Sequence, residues 1–188
     1  MESIAVLLAL VYVLLALKEQ RICFIAGGIS ATLYSMIFWQ VQLYMEAALQ
    51  VFYVAMSVYG WRHWGSRRHH NERPITAKPL AFHLRLGTAL VGLTLLIGGV
   101  LNRYTDAASP FLDSFTTLAA MLTTWMVAEK LLENWWYWVL INGLSVYLYL
   151  DRGLQLTAVL FAGYVLLSIA GYVSWRQRWQ TTGAKIVD

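Results

Sequence analysis

Seven runs without a charged residue, near 3–17, 22–45, 47–61, 86–102, 114–128, 134–150 and 153–175, recur along the chain. A helix needs roughly 20 residues, within a range of about 17–25, to cross the hydrocarbon core of a bilayer. Several runs reach that length alone, and the shorter ones reach it when flanking polar side chains extend to the headgroups. With 59% apolar and only 13% charged residues, the chain has too little polar surface to cover a soluble domain of its size. These features predict an all-α membrane protein with seven transmembrane helices. The first run, SIAVLLALVYVLLAL, also has the length of a signal peptide's apolar region. Glu2 stands where a basic leading segment would be, and no clear small-residue cleavage site follows, so this run is read as a helix.

The basic residues orient the bundle, because cytoplasmic loops retain Lys and Arg. Placing RHWGSRRHHNERPITAKPLAFHLR inside puts Arg62, Arg67, Arg68, Arg73, Lys78 and Arg85 there. Seven crossings then also bring Lys18, Arg21, Lys130, Arg176, Arg178 and Lys185 inside, leaving only Arg103 and Arg152 outside. The expected topology is N-terminus outside and C-terminus cytoplasmic. The net charge of +4 is thus a matter of topology, and no nucleic-acid partner is implied. A single cysteine, Cys23, leaves no intramolecular disulfide and no thiolate cluster. His69 and His70 are adjacent in a charged loop and are read as solvated, so no metal or cofactor is expected.

Two segments repeat. LQVFYVAMSVYGWRHW (49–64) aligns with LFAGYVLLSIAGYVSW (160–175) at a shift of 111, pairing Tyr53 with Tyr164, Ser57 with Ser168, Gly60 with Gly171 and Trp64 with Trp175. One helix earlier, GISATLY (28–34) matches GLSVYLY (143–149) at a shift of 115. Order and starting side are preserved, which predicts a parallel 3+1+3 repeat of the SWEET-like kind, with its site near mid-membrane between the repeats. The expected organisation is a first three-helix bundle at 1–64, a basic cytoplasmic loop at 65–85, a linker helix at 86–102, a second three-helix bundle at 107–179 and a tail at 180–188.

Polar stripes mark where the site should lie. At about 100° per residue, Glu46, Gln50, Tyr53, Ser57, Trp61 and Trp64 fall near one line of the third helix. Trp135, Trp138, Asn142 and Tyr149 share a face of the sixth, and Thr157, Tyr164, Ser168, Tyr172 and Trp175 a face of the seventh. Amides and an acid are costly in lipid and belong toward a bundle interior or a wet cavity. Two roles stay open for several of them. Trp61, Trp64, Trp175 and Trp179 suit an interfacial aromatic belt, Gln50, Asn134 and Asn142 suit interhelical hydrogen bonding, Glu46 suits a solvated outer rim, and Trp125 suits belt, core or cavity. Aromatic faces with amides, and no Lys or Arg in the apolar runs, suit a flat, cationic, hydroxylated heterocycle without phosphate.

QVQLYMEAALQVFYVAMSVYGWRHW (40–64) and DSFTTLAAMLTTWMVAEKLLENWWYWVLINGLSVYLYL (113–150) resemble the PnuC family of bacterial vitamin transporters. The similarity extends over nearly all the chain outside 65–105, and its most specific elements are Gln50 with Gly60, Trp61 and Trp64, then Asn134, Trp135 and Trp138. The resemblance implies a SWEET-like fold, often a homotrimer, in the bacterial inner membrane among lipid. It also implies facilitated diffusion of nicotinamide riboside, held inside by cytosolic phosphorylation. A related branch carries thiamine, also a cationic heterocycle, and remains the alternative substrate. The candidate substrate-binding residues are Glu46, Gln50, Tyr53, Trp61, Trp125, Asn134, Trp135, Trp138 and Asn142. An enzyme would need paired intramembrane acids or an activated nucleophile, which the runs lack. A seven-helix membrane sensor is the rival from another class.

Overall fold

The computed structural model describes residues 2–40, 44–64, 74–104, 109–151 and 155–181. Seven α-helices account for nearly all of them: α1 Glu2–Leu17, α2 Cys23–Gln40, α3 Tyr44–His63, α4 Leu80–Tyr104, α5 Pro110–Ala128, α6 Asn134–Asp151 and α7 Gln155–Thr181. Among the described residues, four stretches are long and apolar enough to cross a membrane: Cys23–Gln40, Leu80–Tyr104, Pro110–Ala128 and Ala158–Thr181. The helix α1 is short, with 16 residues. By contrast, α3 and α6 have 20 and 18 residues, which suffices in length. Their hydropathy is lowered by the same polar residues that mark their inward stripes. Many large apolar side chains face outward, among them Leu95, Leu96, Val159 and Leu166. In a bilayer that surface meets lipid, and no water-exposed hydrophobic surface need be explained.

Helix packing closes a ring. α1 packs on α2, α2 on α3, α3 on α5, α5 on α6, α6 on α7, and α7 returns to α1. α4 lies outside the ring along α5, and its His83 Nδ1 comes within 3.0 Å of the Tyr137 hydroxyl of α6. It begins at Leu80, so the linker helix is longer than the 86–102 expected and takes in His83 and Arg85. Charge marked the boundary too late because long basic side chains reach water from a helix end. The loop residues Arg67, Arg68, His69, His70 and Arg73, together with Arg152 and Lys185, lie outside the described residues.

Close approach at the α2–α3 and α6–α7 crossings depends on glycine. A Cβ on Gly60 would lie within 2.8 Å of three ring carbons of Phe24, and one on Gly171 within 2.6 Å of three ring carbons of Trp135. Each ring therefore lies flat against a bare backbone. These contacts lead into the main core, where Phe24, Trp64, Trp135 and Trp175 pack with Cys23, Ile75 and Leu132. Trp64 meets Phe24 edge-on at 4.9 Å, and Trp135 meets Trp175 edge-on at 5.5 Å, geometry that aromatic quadrupoles favour.

That core occupies the end of the ring where α1, α3, α5 and α7 stop. α1 and α5 stop there in the same way, on a left-handed residue that is not glycine: Glu19 has φ 58° and Lys130 φ 54°. Around each, paired backbone bonds close a Schellman cap, Gln20 N–H to Leu15 O and Glu19 N–H to Ala16 O in one, Leu131 N–H to Met126 O and Lys130 N–H to Val127 O in the other. The segment 74–79 crosses the same end, with Thr76 bridged to Leu131 and its carbonyl accepting from Leu132 N–H at 2.8 Å.

Candidate substrate site

The ring encloses a cavity of about 450 Å³ lined by six helices and not by α4. Its walls follow helical periodicity. α2 contributes Phe24, Gly27, Ser30, Ala31 and Tyr34, and α6 contributes Trp135, Trp138, Ile141, Asn142 and Ser145. Each member of the second set stands 111 positions after its counterpart in the first. The same spacing relates Ala9, Val13 and Ala16 of α1 to Ala120, Thr124 and Val127 of α5, and Gln50, Tyr53 and Ser57 of α3 to Phe161, Tyr164 and Ser168 of α7. The register between α2 and α6 at the cavity is thus 111, one helical turn from the 115 at which GISATLY and GLSVYLY match.

Gln50, Tyr53, Trp135, Trp138 and Asn142 all line this cavity. Asn142 is buried and donates to the Ser168 hydroxyl at 3.4 Å, while Ser168 donates to the Tyr164 carbonyl at 2.7 Å. A polar strand of side chains therefore runs from α6 to α7 across the chamber wall. Trp135 is buried in the core beneath the cavity, whereas Trp138 is half-buried and packs toward α5 and Ile141. Trp138 stands about one helical turn along α6 from Trp135, away from that core.

Three of the expected residues stand elsewhere. Trp61 lies off the cavity, at the end of the ring held by the aromatic core, with the Arg21 guanidinium 3.9 Å over its ring and Arg21 Nε donating to its carbonyl at 2.5 Å. Asn134 opens α6 fully buried, and its amide donates back to the Leu131 carbonyl at 2.6 Å. It shapes the α5–α6 turn, not the chamber. Trp125 is one residue past Thr124, and a rotation of about 100° per residue turns it off the lining face of Thr116, Ala120, Thr124 and Val127. Glu46 falls on α3 with its side chain outside the described residues, as are those of Tyr149 and Thr157.

Sequence reasoning missed the contribution of α1, α2 and α5: Tyr12, Phe24, Tyr34 and the threonines 116, 117 and 124. The aromatics among them are scattered over otherwise apolar helices and form no polar stripe. The signal that would have found them is the repeat itself, since 111 subtracted from Trp135 gives Phe24.

Among the described lining residues none carries a charge: hydroxyls, two amides, aromatic rings and aliphatic groups complete the wall. Such a chamber binds a small, mostly flat molecule by ring faces and a few hydrogen bonds. Ring faces also attract a cation, by roughly 0.5–2 kcal/mol depending on desolvation. Seven helices, lipid-facing exteriors and a central small-molecule chamber define a multi-pass α-helical membrane protein with an internal binding chamber.

Comparison with known proteins identifies the family. Residues 1–177 match the family described as nicotinamide mononucleotide transporter, and the chain belongs to this family, that of the PnuC transporters. It is 25% identical over 213 residues to the nicotinamide riboside transporter PnuC of Escherichia coli (strain K12), covering 100% of this chain and 89% of the relative. To the protein of the same name from Neisseria mucosa it is 23% identical over 190 residues, covering 93% of this chain and 71% of the relative. The crystal structure of the vitamin B3 transporter PnuC superposes with a TM-score of 0.74 at 23% identity, over 96% of this chain and 82% of the other. The family consists of multi-pass membrane transporters of the inner membrane, not of enzymes.

Proposed function

We propose that the protein carries nicotinamide riboside across the membrane by facilitated diffusion and that cytosolic phosphorylation traps the arrived substrate. The observation that carries this reading is the uncharged, aromatic character of the described cavity lining. The family description names the mononucleotide, whereas the curated relatives are named for the riboside. The two ligands differ by a phosphate. A phosphate taken from water needs Arg or Lys to meet it, and none stands among the described lining residues. The riboside keeps the cationic ring for Trp138 and the tyrosines, and offers ribose hydroxyls to Gln50, Asn142 and Ser168.

The transport cycle in this reading is a rocking of two three-helix bundles, 1–64 and 107–179, about the cavity, with α4 as the linker that inverts the chain between them. Support for this parallel 3+1+3 repeat comes from the six-helix ring, the exclusion of α4 and the constant 111 spacing of lining residues. The positive-inside pattern supports a cytoplasmic location for the end held by the aromatic core, with the N-terminus outside. A homotrimer embedded in lipid is proposed on the family resemblance. Uniport over proton coupling is proposed because the apolar runs hold no chain of acids for a proton relay.

Radiolabelled riboside uptake into kinase-free proteoliposomes tests the proposal. The expected result is entry to equal concentration inside and out, unchanged by a protonophore. Accumulation that collapses with the proton gradient would overturn uniport, and preferential uptake of thiamine would transfer the substrate assignment to the thiamine branch.

A further inference from the structure

At the end held by the aromatic core, a buried ion pair joins the two halves. Lys130 Nζ lies 2.6 Å from Glu19 Oε1, with the lysine side chain 3% exposed and the glutamate 19%. The two residues stand 111 apart, each on the left-handed position of its Schellman cap. Glycine is the default there because a Cβ is strained at positive φ. Both caps instead bear a charged side chain, of opposite sign, and the two meet. Backbone strain at a matched pair of positions prompts a functional hypothesis.

Two indoles brace the same junction. Trp64, just past the end of α3, donates to the Val127 and Ala128 carbonyls at the end of α5, at 3.2 and 3.1 Å, and Trp175 of α7 donates to the Ala16 carbonyl at the end of α1 at 2.9 Å. Every one of these contacts links α1 or α3 to α5 or α7, so separating the halves at this end breaks them all. Lys130 Nζ also lies 4.8 Å from the Trp64 ring, which couples the pair to the indole brace.

We infer that Glu19 and Lys130 form a reversible latch that closes this end of the pathway. The inference rests on the transport reading above for its purpose, though not for its geometry. A buried ion pair is about as stable as an apolar replacement of similar volume, because desolvation offsets attraction. Once the halves part, both charges regain water, and little is lost.

The partners are not equivalent. Glu19 has a second cation, with Arg178 Nη1 3.5 Å from its Oε2, whereas Lys130 has only the Trp64 ring besides Glu19 among its described charged or aromatic contacts. Removing the acid should therefore open the latch more than removing the lysine.

Cys23, the only cysteine in the chain and fully buried beside Phe24 in this core, reports the state of the latch. The experiment measures its modification rate by a membrane-impermeant maleimide in purified, nanodisc-embedded protein. Glu19→Gln should raise the rate roughly tenfold or more, and Lys130→Met should raise it less, because an unpaired buried charge favours the hydrated, open state. The double variant Glu19→Leu with Lys130→Met should label no faster than the parent, and Leu90→Ala, on α4, should leave the rate unchanged. Single variants that label like the parent would overturn the latch. So would a double variant that labels as fast as Glu19→Gln, since that result marks general loosening. Riboside flux measured in parallel separates the two readings: altered labelling without riboside flux in any variant leaves the latch standing and removes the substrate, whereas normal flux with unaltered labelling does the reverse.

Discussion

Alanine at Gly171 should be among the most damaging of small substitutions in this protein. The added methyl group would meet Cε3, Cζ3 and Cδ2 of Trp135, all within 2.6 Å. No real methyl sits that close, so either α7 withdraws from α6 or the ring moves. The ring has little freedom, since Trp175 packs edge-on against it at 5.5 Å. Its remaining exit is toward the cavity that it lines. Overpacking of this kind costs about 1–3 kcal/mol, which is roughly 5- to 150-fold in the folding equilibrium. Reversible unfolding in mixed micelles would measure it, with Trp135→Leu and the double variant completing a cycle. Leucine removes the clashing ring, so the double variant should be more stable than the sum of the singles predicts by about 1 kcal/mol or more. Additive behaviour within about 0.3–0.5 kcal/mol would refute the proposed contact.

The remaining predictions concern the chamber and its braces. Trp138→Ala should weaken riboside binding by about tenfold, in keeping with the roughly 0.5–2 kcal/mol of a ring facing a cation, read by calorimetric titration. Asn142→Ala should weaken it by a comparable factor while also freeing Ser168, whereas Asn134→Ala should lower the unfolding midpoint, because its amide serves the Leu131 carbonyl. Trp175→Phe removes the hydrogen bond to Ala16 and should cost about 1 kcal/mol in unfolding free energy.

Much of this architecture is legible in the chain because bilayers impose simple rules. Uncharged runs gave the helices, and the amides of α3 and α6 pointed to an interior face; Gln50 and Asn142 stand on the cavity wall. Helix phase decided the failures. Trp61 and Trp125 are the right residue type on the right helices, yet one turns to Arg21 and the other off the lining face. Asn134 belongs to a turn, and its role follows from backbone geometry that residue type does not reveal. Tyr12 and Tyr34 went unnoticed because a tyrosine in an apolar helix has no periodic signal until its neighbours in space are known. The meeting of Glu19 with Lys130 was out of reach for the same reason: each reads as a loop charge, and only the packing of α7 on α1 and α3 on α5 brings their ends together.

The central claim is that an uncharged aromatic chamber selects a dephosphorylated cation. Calorimetric titration of the purified protein with nicotinamide riboside, and then with nicotinamide mononucleotide, tests it most directly. The account predicts saturable binding of the riboside and binding of the mononucleotide at least about 100-fold weaker, since its phosphate would be buried without a cationic partner. Equal or tighter binding of the mononucleotide would contradict it.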